Sequence, residues 1–437
     1  MNLTGMLTQR FWKLSWSKRD QYIIAVIAFL IPFGIRLLPY LIVLLGLSWL
    51  FTGGIKRTVE YFLYSKKRNR ILLFLPILFY FFHLLSLLVT ENLRIGAFDI
   101  QVKLSFILIP LFFTGMPEDS IDLDKVLNSF LAGTIIASIL CYFIATWNSL
   151  GLDSGRIIFN VHPDVYFWEN FFLYDRFSAF HHPSYFAMFI LFAIGTGFYY
   201  LQSDKNNIFG NRFIVISIFF LSLTLFLLSS RAGFLVWLVL IVTFGLIHIH
   251  KRASESYKLA FPFVILLGFF SFLIINGNRY NTVIEDLKVY KNYAQENTQS
   301  STGTRMVLWE ESVRIIKRNF FFGVGQGDIK MELFRQAKKQ GYLQIIEKNL
   351  NIHNQFLETF IGLGIGGIIL LVLMLFWPIL RLRGKYLKLF VYFIIIVSLN
   401  LIFESMFNRL AGVFFFTFFY CLLTLVMNQQ LSSRLEK

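Results

Sequence analysis

The sequence predicts an all-α membrane protein of about twelve spans, with one large helical loop outside the bilayer. Three observations predict it. Of 437 residues, 56% are hydrophobic and only 15% charged, and the mean hydropathy is +0.63. Apolar runs of about 17 to 25 residues recur, the length that crosses a ~30 Å hydrocarbon core. One long polar interval, 277–354, interrupts them. A β-barrel would show short alternating segments instead.

In chain order, spans are expected near 21–35, 37–53, 71–90, 99–115, 124–147, 183–201, 213–229, 232–249, 259–276, 356–378, 386–404 and 410–427. Pro32, Gly34, Arg36 and Pro39 crowd the first junction, which reads as a tight helical hairpin. Three parts follow: a bundle of spans 1–9 (1–276), an external loop with amphipathic helices (277–355), and spans 10–12 (356–437). Residues 1–20 are polar and basic, and no small-residue cleavage site follows the first apolar run, so that run is expected to stay as a signal anchor.

The net charge of +16 would suggest nucleic acid in a soluble protein. Here the basic residues sit between spans, where they set topology, so no nucleic-acid partner is expected. With the N-terminus inside, the cytoplasmic segments hold 20 Lys and Arg against 6 in the short outer loops. That bias favours N-in, C-in, and places the long polar interval on the outer face. Cys141 and Cys421 lie inside apolar runs, which gives neither a disulfide framework nor a C-x-x-C metal site.

This orientation puts four segments on one outer face: the loop 149–182, the turn 228–233, the interval 277–355, and the turn 404–409. Within the interval, Met306, Trp309, Val313 and Ile316 recur at helical spacing, with Glu310, Glu311, Arg314 and Arg318 elsewhere on the wheel. Thr304 is the expected N-cap. A second amphipathic helix is expected over 328–340.

Several residues have chemistry suited to a site. Arg231 stands between two apolar runs, where a charge is costly and usually has a partner or a task. A guanidinium grips phosphate bidentately; a snorkelling arginine at the lipid headgroups is the blander alternative. Ser230 adds a hydroxyl beside it. Arg305, opening a helix, suits an anion, although a solvated surface charge is equally ordinary. Gly325, between Gly323 and Gly327, allows a tight turn that can present N–H groups, and a plain loop does the same. His353, with Asn354 beside it, has the acid–base range of a general base, or makes a structural hydrogen bond at the interface. His182, next to His181, occupies the matching re-entry point of the earlier loop. Zinc is disfavoured there, because adjacent side chains diverge and no third ligand is close. Asp164, Glu169 and Asp175 suit sugar hydroxyls or plain solvation.

Four pieces in order, RFSAFHHPSYFA, LSSRAGF, GTRMVLWEESVRIIKRNFFFGVGQGDI and NIHNQFLETFIGLGIGG, resemble the O-antigen ligase family, which includes O-antigen polymerases. The resemblance covers about 175–370. It implies transfer of a glycan from undecaprenyl diphosphate to an acceptor hydroxyl on the periplasmic face, lipid A–core for a ligase. It implies that Arg231 and Arg305 bind the diphosphate and that His353 activates the acceptor, without metal or cofactor. Inverting, in-line displacement is the expected mechanism. A polymerase or a protein O-oligosaccharyltransferase shares the donor chemistry. A lipid-linked glycan transporter would need ionisable residues or broken helices at mid-membrane depth, and most spans here have uncharged middles.

Overall fold

The computed structural model describes residues 16–34, 38–64, 69–117, 121–153, 156–162, 170–203, 208–252 and 301–435. The expected span at 259–276 and the first part of the polar interval lie outside them, as do Asp164 and Glu169.

The helices in order are α1 (Trp16–Leu30), α2 (Leu38–Phe51), α3 (Gly54–Leu63), α4 (Arg70–Ser86), α5 (Leu93–Val102), α6 (Ser105–Thr114), α7 (Leu123–Ser149), α8 (Tyr174–Phe177), α9 (Pro183–Gln202), α10 (Gly210–Leu227), α11 (Arg231–Arg252), α12 (Ser301–Arg318), α13 (Ile329–Lys339), α14 (Leu343–Glu347), α15 (Gln355–Arg381), α16 (Leu387–Phe403) and α17 (Leu410–Leu435). Six described helical stretches are long and apolar enough to cross a membrane, or seven if the bent pair α2–α3 counts as one span. Shorter apolar helices occupy three more expected positions, at 70–86, 231–245 and 387–403. The chain is therefore a multi-pass helical membrane protein.

Details differ from expectation. The second span bends by 81° between α2 and α3. The loop after α7 opens with a two-stranded antiparallel hairpin, β1 (Leu150–Asp153) against β2 (Arg156–Phe159), so the architecture is not purely α. Its alternation was too short to register against the apolar background.

Two helices form the centre. The apolar windows of α9 and α17 are 89% and 94% buried, and a helix hydrophobic all round belongs inside. Phe192 of α9 and Phe415 and Phe419 of α17 close this core with Phe130 and Phe393, ring centroids 4.6–6.4 Å apart. By contrast, Ile369, Val372, Phe376 and Leu380 of α15 are exposed, as residues facing lipid would be.

A second core sits on one end of the bundle. Val307, Leu308, Ile315 and Ile316 of α12 pack with Ile329, Leu333 and Ala337 of α13, and with Ile345, Ile352 and Ile361. The apolar stripe expected on α12 is therefore rotated. Val313 is exposed, while Glu311 and Ser312 are fully buried. The reason is polar pairing across the two helices, since Glu311 accepts from Gln336 Nε2 at 2.7 Å. Thr304 lies inside α12 rather than capping it. Ile361 belongs to α15, so this layer reaches beyond the expected boundary at residue 355.

The join is a backbone clasp. Val324 and Gly325 donate N–H bonds to Ile361 O and Gly362 O at 2.8 and 3.2 Å, and Ile365 N–H returns one to Phe320 O at 2.9 Å. Gly364 breaks α15 there, with φ 66° and ψ −162°. A side chain at Gly364 would meet Phe321 O at 2.2 Å, so only glycine admits the inserted strand of backbone.

Candidate active site

The site is built at the end of the bundle where α9, α11, α15 and α17 begin and α16 ends. Trp309 of α12 donates Nε1–H to Ile352 O at 3.1 Å, fixing the segment before His353. His353 itself has φ 50°, an uncommon backbone state for a non-glycine residue. This conformation turns the chain into α15, whose N-cap Asn354 accepts from Leu357 N–H at 3.0 Å.

His353 Nδ1 lies 2.9 Å from Glu404 Oε1, the residue that ends α16. Arg305 of α12 approaches the other carboxylate oxygen at 4.0 Å. These side chains are 29%, 12% and 33% exposed, so the cluster is open to a substrate yet partly dry. Burial pushes the Glu404 carboxyl up, but the His353 hydrogen bond and the charges of His353, Arg305 and His182 outweigh it and hold it below its ordinary value. The ionised carboxylate accepts Nδ1–H, and that tautomer leaves His353 Nε2 free to take a proton.

His182 belongs to this cluster, within electrostatic reach of Glu404, Asp175, His353 and Arg409; burial keeps it below its usual range. His181 does not belong. Its Nε2 meets Ile31 O at 2.9 Å and its ring packs edge-on against Phe189. Adjacent in sequence, the two rings serve different contacts. Among the described residues, no group of three His, Cys, Asp or Glu side chains is placed to hold a metal ion.

Three of the sequence candidates turn out to share one task. His182, Ser230 and Asn354 each accept a first-turn N–H, from Ser184 at 3.4 Å, Gly233 at 3.1 Å and Leu357 at 3.0 Å. They cap α9, α11 and α15. The three helices therefore turn their positive ends toward this face, which favours an anion there. Arg231 is the first residue of α11 and half-buried. A side chain at Gly233 would lie 3.1 Å from Ala187 Cβ, so Arg231 shares this end with the start of α9. Gly325 does not present its N–H outward; the clasp uses it, and a side chain there would strike Thr90 Oγ1 at 2.2 Å.

Sequence reasoning gave no role to Glu404 or Arg409, although it placed their turn on this face. The signal was present: Glu404 ends an apolar run, as Arg231 begins one, and the same cost argument applies to both. A separate cleft of about 400 Å³ lies beside Glu91 and the far end of α12. Its Arg318 and Arg335 are both engaged by Glu332, at 3.8 and 2.8 Å.

The family described as O-antigen ligase matches residues 216–372, the stretch that carries Arg231, Arg305, His353 and the clasp. Residues 216–372 are an O-antigen ligase family domain. A Haemophilus influenzae protein of uncharacterised function is 27% identical over 191 residues, covering 42% of this chain and 45% of that protein. The match is confined to residues 216–372, and that stretch resembles O-antigen ligase- and polymerase-like membrane proteins.

Proposed function

We propose that this O-antigen ligase family protein moves a glycan from undecaprenyl diphosphate to an acceptor hydroxyl, on the periplasmic face of the bacterial inner membrane. The observation that carries the reading is the His353–Glu404 pair, 2.9 Å long, with Arg305 on the second carboxylate oxygen. Glu404 orients the imidazole. His353 Nε2 removes the acceptor hydroxyl proton as that oxygen attacks the anomeric carbon. The bond from that carbon to the diphosphate oxygen breaks, and the electron pair leaves with the diphosphate. Arg231, Arg305 and the helix N-termini offset the charge that develops on it. One displacement inverts the anomeric centre. His182, Ser230 and Asn354 border the substrate through the helix ends they cap.

Among acceptors, lipid A–core is the first choice, which makes the protein the ligase that joins polysaccharide to it. A polymerase or a protein O-oligosaccharyltransferase would use the same donor half-site. In vitro transfer from purified lipid-linked donor tests the chemistry: full activity in His353→Ala would remove that residue as the base. The surface glycan of a deletion strain tests the acceptor. Loss of all polysaccharide on lipid A means ligase, and a single repeat unit left there means polymerase. A periplasm-dependent reporter should be active when fused at Gln295 and silent at Arg383; the reverse pattern overturns the orientation.

A further inference from the structure

A buried polar set lies beneath the Glu404 turn, and none of it takes part in the proposed reaction. Lys103 is fully buried, with Nζ 2.5 and 2.6 Å from the two oxygens of Asp99. Gln326, from the glycine loop, hydrogen-bonds the same carboxylate. Glu358, buried one turn into α15, lies within electrostatic reach of both Lys103 and Asp99.

Glu358 also grips the turn that follows Glu404. Its Oε1 accepts from Asn408 Nδ2. One turn earlier on α15, Gln355 Oε1 accepts from Phe407 N–H at 2.7 Å. The helix that starts one residue after His353 and its cap thus holds, at two points, the segment that carries Glu404.

Stability does not account for this arrangement. Charges in a span are costly, and a buried ion pair seldom outperforms well-packed apolar residues. Ser405 hydrogen-bonds the Glu358 carboxylate, but two buried oxygens here, Gln326 Oε1 and Asn408 Oδ1, meet no donor among the described residues. A set so incompletely satisfied is better explained by the geometry it enforces.

We propose that Glu358, backed by the Asp99–Lys103 pair, is a positioning residue that fixes the 404–408 turn so that Glu404 meets His353. The assignment rests on the transferase reading above. It gives the first third of the chain, which carries no family motif, a task at the site: Asp99 and Lys103 supply the floor on which the turn is set. Glu358 acts through Glu404 and touches neither donor nor acceptor.

The test compares kcat and donor KM in the purified full chain. Glu358→Ala should lower kcat on the order of tenfold to a hundredfold, as misplacement of a reacting group does. Donor KM should stay within about twofold, because diphosphate contacts are untouched. Glu358→Gln keeps the Oε1 acceptor for Asn408 and should recover most of the rate. In a Glu404→Ala background, adding Glu358→Ala should cost less than about twofold more, since residues acting through one group do not add. Multiplying losses, an unchanged kcat in Glu358→Ala, or a rate loss matched by loss of folded protein would each overturn the positioning role. Full rate in both His353→Ala and Glu404→Ala would remove the transferase reading itself, a separate result from full rate in Glu358→Ala alone.

Discussion

The two ends of the bundle both gather polar side chains, from some of the same helices, and they do so differently. At one end Asn69, Arg381 and Asn428 bind mostly backbone and amide groups. Arg381 Nε meets Asn69 Oδ1 at 3.4 Å, and Asn428 Nδ2 meets Asn69 O at 3.3 Å. Asn69 and Asn428 are each 2% exposed. These contacts tie the start of α4 to the ends of α15 and α17. At the other end His353, Glu404, Arg305 and His182 answer one another, and the first three remain partly exposed. The first cluster closes a structure; the second keeps titratable groups within reach of something else. That difference, rather than polarity alone, marks where chemistry belongs.

The largest expected contrast between the ends is in turnover. His353→Ala should lower the transfer rate by ~10²–10⁴-fold, the usual contribution of a positioned base. Asn69→Ala should leave the rate per folded molecule unchanged. Equal losses in kcat for both variants would erase the distinction.

Next come the arginines. Arg231→Ala and Arg305→Ala should each cost ~10²-fold in kcat/KM, on the scale of a lost charge-stabilising donor. Lys should rescue poorly because it lacks the planar fork. Near-normal turnover in both Lys variants would show that no bidentate grip on phosphate operates.

Acid should act on one end before the other. Glu404 is held below its ordinary value, so its contribution to stability is complete above about pH 4.3, the unfolded glutamate value, and is lost as pH falls through the lower folded value. His182 is also depressed, so the neutral form it favours contributes above about pH 6.5 and loses ground as pH falls below that. Melting temperature should therefore decline from pH 7 toward pH 4. His182→Asn should flatten that decline, and Glu404→Gln the further fall below about pH 4.3, whereas Asn428→Ala should leave both slopes unchanged; melting curves from pH 7 to about pH 3 decide it.

The smallest effect belongs to the closed end. Asn69→Ala should reduce stability by about 1 kcal/mol, a typical net value for buried hydrogen bonds. A thermal shift well beyond that would mean the Asn69 contacts carry more of the fold than their geometry suggests.

The membrane class and most of the described span positions were legible in the sequence, and Arg231, Arg305 and His353 could be named there as candidates. Apolar length and a charge at the edge of a span are local properties, and the bilayer imposes them one segment at a time. The residues that complete the arrangement were not legible. Glu404 finds His353 across 51 positions, Trp309 finds Ile352 across 43, and Asp328 reaches back 236 positions to accept the N–H of Asn92. Nor did the sequence show that His182, Ser230 and Asn354 cap helices, that Glu311 faces inward, or that the glycines of 323–327 form a clasp. Which face of a helix meets its neighbour depends on rotation and register, and those are set when ridges and grooves pack together. The sequence alone thus determined which residues stand at the membrane edge; only the packing of α12, α15 and α16 decided which of them meet.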